Sequence, residues 1–144
     1  MSVADLLGEH IGANETILAR VTGIRPIRKG LSDQYPYLVY ETAAMNQVES
    51  LNRKSNTYVG VIRLYVVAIT QGECGELAEL IKDYLNDNPT AANADYQIRR
   101  SRMEDEEDIA QDEDDDGNAF YVKSIDWWVR GRKLRPTATP SSSE

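Results

Sequence analysis

The chain has 144 residues, of which 41% are hydrophobic, and a formal net charge of −8. This length is typical of one domain that buries a single core. No apolar run approaches the roughly 20 residues of a membrane helix, and the N-terminus lacks the basic and apolar regions of a signal peptide, so we expect a protein that is neither membrane-bound nor exported. One cysteine and one histidine exclude an internal disulfide and a Cys/His zinc site within the chain.

The acidity belongs mostly to one segment of the chain. Residues 104–116 (EDEEDIAQDEDDD) hold 10 of the 24 acidic residues, so the remaining 14 acids are matched by 16 Lys and Arg. A charge concentrated in this way indicates a local role of the segment rather than a uniformly acidic surface. A charge run is also typical of a solvated loop, and both interpretations stay open at this point.

The N-terminal part predicts two helices followed by a basic connection. Ser2 and Asp5 form a capping-box pattern, and apolar residues then recur at helical spacing to about Gly12. Residues 15–21 predict a second, short helix before a glycine and a proline interrupt the pattern. Residues 24–34 (IRPIRKGLSDQ) are typical of a loop or a short edge strand.

Two strands are predicted in the middle of the chain. Residues 35–42 (YPYLVYET) are rich in strand formers, and Pro36 restricts its position to a strand start or a sheet edge. Residues 57–69 (TYVGVIRLYVVAI) carry apolar side chains on both faces, which is typical of a strand covered on both sides. Between them, residues 43–56 are polar and predict a flexible link.

The C-terminal half predicts a helix and two further strands. Residues 75–85 (GELAELIKDYL) repeat apolar residues at spacings of three and four, with charged residues on the other side. Residues 95–103 alternate loosely as a strand, and residues 119–130 (AFYVKSIDWWVR) form an aromatic strand. Their short separation predicts an antiparallel hairpin, in which residues 104–117 form a long acidic loop.

Together these elements predict an α+β fold. We expect a single domain over residues 1–130, with a mixed, mainly antiparallel β-sheet, helices packed on one face and the long acidic hairpin loop. Residues 131–144 (GRKLRPTATPSSSE) have little to bury, so they predict a flexible C-terminal tail or an arm that becomes ordered on a partner.

The sequence offers no catalytic set of residues. His10 is the only imidazole, and it lies in the predicted first helix, with no catalytic motif around any serine or around Cys74. Cys74 precedes a predicted helix, where the helix dipole favours a thiolate, but it lacks a basic partner in the sequence. We therefore expect Cys74 to be a small packed residue, and we expect the protein to have no enzymatic activity and no cofactor.

One stretch of the acidic segment resembles part of a calcium site. Asp112, Asp114 and Asp116 followed by Gly117 match the first half of an EF-hand loop. Lys123 stands where that loop requires a bidentate glutamate, and no helix precedes the stretch. We expect loose attraction of divalent ions at most and no specific metal site.

The strands and the long helix resemble the tail completion or tail terminator proteins of long-tailed bacteriophages. The resemblance covers about residues 6–130. It rests on the strand start at Tyr35 and Pro36, the strand at 60–68, the helix GELAELIKDYL and the closing aromatic strand at 125–129 (IDWWV). It implies an α/β subunit that forms a hexameric ring at the head-proximal end of the tail, ends tail tube assembly and joins the tail to the head connector.

The resemblance also implies partners and a location. The partners are other copies of this chain, the tail tube protein and a head-tail connector or stopper protein, while DNA passes through the lumen of the ring without specific binding and no membrane is involved. The location is the tail or neck of the virion, and the host cytoplasm during assembly. Arg99, Arg100, Arg102 and Lys123 either line this lumen or pair with the neighbouring acids, and we favour the pairing.

A ring requires a contact between two different surfaces of neighbouring subunits. Acidic residues of one copy meeting basic residues of the next would set the register and orientation of such a contact. Trp127 and Trp128 are adjacent, so in a strand they point to opposite faces. We expect one of them in the core, while the other either packs under the helix or presents an apolar contact to a partner. The candidate interface residues are Glu104, Asp105, Glu106, Glu107, Asp108, Asp112, Asp114, Asp116, Arg130, Arg132, Lys133, Arg135 and Trp128.

Two alternatives to the tail-end ring remain open from the sequence. The first is another neck or connector protein of similar fold. The second is an interaction module in which the acidic loop imitates the phosphates of a nucleic acid and occupies a basic partner.

Overall fold

The computed structural model describes residues 2–27, 35–50, 53–113, 117 and 119–134. Among these residues no helix is both long and apolar enough to cross a membrane. The elements in chain order are α1 (Val3–Gly12), α2 (Glu15–Leu18), β1 (Ile24–Pro26), β2 (Tyr37–Ser50), β3 (Arg53–Ala68), α3 (Gln71–Asp87), β4 (Ala91–Ala92), β5 (Tyr96–Glu113) and β6 (Ala119–Lys133).

The first helix begins where the sequence predicts. The Ser2 side chain accepts a hydrogen bond from the backbone N–H of Asp5, and the Asp5 carboxylate accepts one from the backbone N–H of Ser2. This capping box satisfies backbone donors that the first turn of a helix leaves free. The Tyr40 hydroxyl also donates to Asp5 at 2.8 Å, so the cap fixes α1 against β2.

The third helix is longer than predicted. Thr70 is its N-cap, and the Thr70 hydroxyl accepts a hydrogen bond from the backbone N–H of Glu73 at 3.1 Å. The predicted helix at residues 75–85 is confirmed, and it gains a first turn that contains Cys74.

The strands form one mixed sheet in the order β1-β2-β3-β6-β5-β4. β1 runs parallel to β2, and every other neighbouring pair is antiparallel. The predicted α+β domain with a mainly antiparallel sheet is therefore confirmed. The first residues of the segment 24–34 form the short edge strand β1, and residues 28–34 lie outside the described residues.

All three helices pack on one face of the sheet, which we call the helix face. The opposite face is the open face. The main core lies under α1 and α3, and Trp127 of β6 is fully buried there. Alternate residues of the central strand β3 point into this core, namely Ile62, Leu64, Val66 and Ala68.

Among the described residues, buried apolar side chains cover the open face at one end. Tyr37, Val39 and Val67 form a second, small buried cluster there. Tyr35 stacks between Tyr37 and Phe120, with ring centroids 5.7 and 5.8 Å apart. The two apolar faces predicted for residues 57–69 are therefore buried to different extents. The helices cover one face along its length, and the described residues cover the other face at this end.

The prediction of a long acidic loop is wrong for most of its length. The antiparallel hairpin itself is confirmed, but β5 continues to Glu113 and pairs with β6 as far as Ala119. The acidic residues up to Glu113 therefore belong to a strand, whose neighbour β6 supplies both the ladder hydrogen bonds and apolar side chains. Residues 114–116, with Asp114 and Asp116 of the predicted interface and calcium-like stretch, lie outside the described residues.

The predicted flexible link at residues 43–56 is also wrong where the structure describes it. β2 continues to Ser50 and pairs with β3 from Arg53 onward, so most of the link is a hairpin. At the other end of the chain, β6 continues to Lys133, three residues into the predicted tail. Residues 135–144, including Arg135, lie outside the described residues.

Candidate interaction surfaces

Two hairpins extend beyond the central strands at opposite ends of the sheet. β3 pairs with β6 only from Thr57 to Ala68. The β2–β3 hairpin continues past Thr57 to the pair of Ser50 and Arg53, without a neighbour in β6. The β5–β6 hairpin continues past Ala68 at the other end, to the pair of Glu113 and Ala119. The subunit thus presents one extended strand pair at each end.

The strand conformation divides the acidic residues between the two faces of the sheet. On the helix face, Glu106 accepts a hydrogen bond from Lys82 of α3 at 2.7 Å and lies 3.5 Å from Lys123 of β6. Asp108 lies 3.5 Å from the same Lys123 ammonium group. Glu106 therefore connects the hairpin to the third helix within one subunit, and Asp108 pairs across the hairpin itself.

Two lysines stabilise the ionised form of the Glu106 side chain. Burial alone would raise the pKa of this carboxyl, but the hydrogen bond and charge of Lys82, together with Lys123, outweigh burial and lower the pKa below its ordinary value. The pKa of Lys82 is raised in turn, because its carboxylate partners outweigh the effect of its own burial. Glu106 and Lys82 form a partly buried ion pair that helps to fix β5 against α3.

The acids on the open face have different surroundings. Asp105 and Glu107 are exposed, and neither forms an ion pair with any of the described residues. Asp126, which lies opposite Asp105 in β6, is instead held by Arg63 at 2.7 Å. Glu104 lies 3.9 Å from Arg102. Among the acids of the predicted interface whose side chains the structure describes, Asp105 and Glu107 are exposed without an ion pair and are available to a partner.

A basic region occupies the other end of the same hairpin. Arg130, Arg132 and Lys133 of the predicted interface are exposed at the end of β6. Arg130 lies directly opposite Arg100 of β5, and together with Arg99 they line a cavity of about 300 Å³. The expected pairing with nearby acids is confirmed for Lys123 and, at 3.9 Å, for Arg102. Within the described part of the chain, Arg99 and Arg100 have no acidic partner.

The two adjacent tryptophans point to opposite faces, as predicted. Trp127 is part of the core, whereas Trp128 is partly exposed on the open face. The guanidinium carbon of Arg102 lies 4.3 Å from the centre of the Trp128 ring, which is the geometry of a cation–π contact. Tryptophan and arginine are the residue types enriched at the energetic centres of protein interfaces.

His10 and Cys74 occupy structural positions. The Nε2 atom of His10 lies 2.7 Å from the carbonyl oxygen of Asn88, and its ring packs against Tyr84, so it joins α1 to the end of α3. Cys74 is buried, and burial raises the pKa of its thiol. The expectation that Cys74 is a packed residue is confirmed.

The described residues also contain no cluster of three or more His, Cys, Asp or Glu side chains that is arranged to hold a metal ion. Asp112, the first residue of the calcium-like stretch, lies in β5 opposite Phe120. The described surfaces therefore present acidic and basic groups at different places on the β5–β6 hairpin, together with exposed strand ends and the half-exposed Trp128.

Comparisons with known proteins agree with this fold. No model of a protein family matches the chain, and no curated protein matches it. Among solved structures, the chain is similar to a chain of a structure described as the virion of a native gene transfer agent particle. The TM-score is 0.61 at 10% sequence identity, and the match covers 92% of this chain and 94% of that chain. At this identity the likeness shows a shared fold.

Proposed function

We propose that this protein is a structural component of a phage-type virion, which forms a ring at the head-proximal end of the tail. In this role it ends polymerisation of the tail tube and joins the tail to the head connector. Its partners are other copies of itself, the tail tube protein and a connector or stopper protein. It acts by shape and charge complementarity and converts no substrate.

The observation that carries the proposal is the near end-to-end match to a chain of a virion. The fold is shared over 92% of this chain and 94% of that chain, so the likeness is not confined to one motif. Fold alone does not determine function, so the proposal also needs support from the surfaces. The sequence resemblance to tail terminator proteins, drawn from the strands and from the helix before β4, supports the same class independently.

The surfaces support assembly into a ring. A closed ring is built from contacts between two different patches of identical subunits. This subunit has an extended hairpin at each end of its sheet, and the β5–β6 hairpin carries bases at one end and acids further along. Such a polar distribution suits a head-to-tail arrangement of copies. Hexameric stoichiometry is part of the proposal because the resemblance implies it.

The geometry gives less support to the nucleic-acid mimic. A mimic needs its carboxylates on one surface with the spacing of phosphates, whereas the strand places successive acids on opposite faces. Glu106 and Asp108 are already engaged by Lys82 and Lys123. Another neck protein of similar fold remains the second candidate, and it differs from the first in position within the particle.

The proposal is tested by assembling particles without this protein. Its gene is deleted in the virus or particle-producing host that encodes it, and the products are measured by negative-stain electron microscopy. We expect tails of abnormal length, or heads and tails that fail to join, and we expect a plasmid copy of the gene to restore joined particles. Particles of normal tail length and normal joining would refute the role at the tail end.

A further inference from the structure

A β-bulge gathers three arginines at one end of the open face. The register of β5 against β6 shifts between Ile98 and Arg100, so Arg99 is an extra residue without a partner of its own. In a bulge, two residues of one strand face one residue of the other, and the side chains are redirected. Here Arg99 and Arg100 face Arg130. With Thr57 and Gly131 they line the cavity of about 300 Å³, which we call the arginine pocket.

The close approach of the two strands at the arginine pocket depends on a glycine. A β-carbon added at Gly131 would lie 2.3 Å from the carbonyl oxygen of Gln97, far inside contact distance. Gln97 lies two residues before Arg99, the extra residue of the bulge. Gly131 therefore permits the strand geometry that brings the guanidinium groups together, and any larger residue would push β5 away.

The arrangement brings like charges together at the protein surface. Like charges that lie directly opposite each other on neighbouring strands repel, and Arg100 and Arg130 are such a pair. None of the three arginines forms an ion pair with any residue that the structure describes. Guanidinium groups bind carboxylate or phosphate oxygens through charge-assisted hydrogen bonds. The pocket is thus suited to an oxyanion.

We propose that the arginine pocket of one copy binds the carboxylates of Asp105 and Glu107 of a second copy. This inference rests on the proposed self-assembly of the protein and names the contact that drives it. Both carboxylates are exposed on the open face and have no ionic partner among the described residues. The same copy cannot supply them, because Asp105 lies five residues further along the strand than Arg100, a distance of about 16 Å at roughly 3.3 Å per residue.

Protein carboxylates suit this pocket better than the backbone of a nucleic acid. A nucleic acid that followed the open face away from the pocket would pass Arg102 and Trp128 and then meet the exposed carboxylates of Asp105 and Glu107, and the whole chain carries a charge of −8. Long polyanions are repelled by such a surface. The second copy, in contrast, brings a short group of carboxylates. A ring forms when each copy binds one neighbour through its pocket and a different neighbour through its carboxylates.

The experiment uses complementary charge reversals in the full-length chain. One variant, R100E/R130E, has an acidic pocket, and the other, D105R/E107R, has basic residues where the pocket's ligands should be. Each is expected to weaken self-association at least about tenfold, because like charges then meet across the contact. Self-association is measured by sedimentation velocity at low and moderate salt, and circular dichroism checks that each variant is folded.

Mixing the two variants is the decisive arm. In the mixture, the acidic pocket of R100E/R130E binds the arginines of D105R/E107R, and the unchanged pocket of D105R/E107R binds the carboxylates of R100E/R130E. The equimolar mixture should therefore assemble as the wild type does, while neither variant does so alone. Arg20→Glu is the control, since it makes the same Arg-to-Glu substitution at one exposed arginine outside the pocket, with half the change of charge of R100E/R130E. It should leave self-association unchanged within about twofold.

Several outcomes would overturn the inference. These are a wild-type chain that stays monomeric, R100E/R130E that assembles normally, or a mixture that does not recover assembly. A labelled single-stranded DNA is the competing probe. If it binds the wild type but binds R100E/R130E at least about tenfold more weakly, while assembly is unaffected, the pocket's ligand is a phosphate backbone. Rings that form independently of the pocket would refute this contact and leave the proposed function standing.

Discussion

Replacing Gly60 by alanine tests how closely the β2–β3 hairpin packs. Gly60 lies in β3 opposite Met45, where the register of β2 shifts between Thr42 and Ala44. A β-carbon at Gly60 would lie 2.1 Å from the carbonyl oxygen of Ala44 and 2.8 Å from the Cα atom of Met45. Both of these atoms belong to the backbone, so no side-chain rotation can relieve the clash.

The size of the effect follows from the displacement required. Ordinary contact begins at 3.4 Å, so the Ala44 carbonyl at 2.1 Å would have to retreat by more than 1 Å, and the bulge in β2 would have to move with it. Overpacking of this kind costs about 1 to 3 kcal/mol. For a domain of this size, each kcal/mol lowers the melting temperature by about 4 °C. Gly60→Ala should therefore melt about 4 to 12 °C below the wild type.

The assay is thermal and urea unfolding followed by circular dichroism. Gly75→Ala is the matched control, because it makes the same chemical change inside α3, where nothing lies within 4 Å of the new β-carbon. Alanine is the better helix former, so this variant should gain about 0.5 to 1 kcal/mol. The reasoning is refuted if Gly60→Ala is as stable as the wild type, or if both variants shift in the same direction.

Two further predictions concern the joint between the hairpin and α3. Lys82→Met removes the hydrogen-bonded partner of Glu106 and should cost about 1 kcal/mol in urea unfolding, whereas Arg20→Met breaks only an exposed pair and should cost under about 0.5 kcal/mol. The folded-state pKa of Glu106 is lowered, so its contribution to stability is present above its ordinary pKa of 4.5 and is lost as the pH falls through the folded value. Lys82→Met should therefore lose less stability than the wild type on acidification, and an equal loss would contradict the pairing. The Cys74 thiol should react with a thiol reagent at least about a hundredfold more slowly in the folded protein than in urea, and rapid labelling of the folded protein would show that it is not buried.

Much of the fold could be predicted from local patterns. Two helices were predicted correctly, α1 from the capping box at Ser2 and Asp5 and α3 from its apolar repeat. Caps and periodicity depend on only a few neighbouring residues, so the sequence alone shows them. The first turn of α3 was not predicted from the sequence, and it contains Gly72, a residue unfavourable inside a helix. The pattern of Thr70 followed by Glu73 was the available signal for the true start of this helix.

The acidic segment shows where local patterns fail. A run of carboxylates favours a solvated loop when it is considered alone. In the protein, the acidic segment pairs with the more apolar strand β6. Lys82 and Lys123 form ion pairs with acids on the helix face. These lysines are distant in sequence, so their effect depends on the tertiary structure.

The arginine pocket could not be predicted for a related reason. Arg99 and Arg100 were visible in the sequence, and pairing with nearby acids was the expected outcome. Their convergence on Arg130 depends on one bulge and on the register of two strands. A one-residue change in register would place these side chains on the other face.

Electron microscopy of intact particles, with this chain carrying a small fusion label, tests the central proposal most directly. The account predicts label density arranged as a closed ring between the head and the tail tube. Label at the distal end of the tail, within the head shell, or absent from purified particles would contradict it.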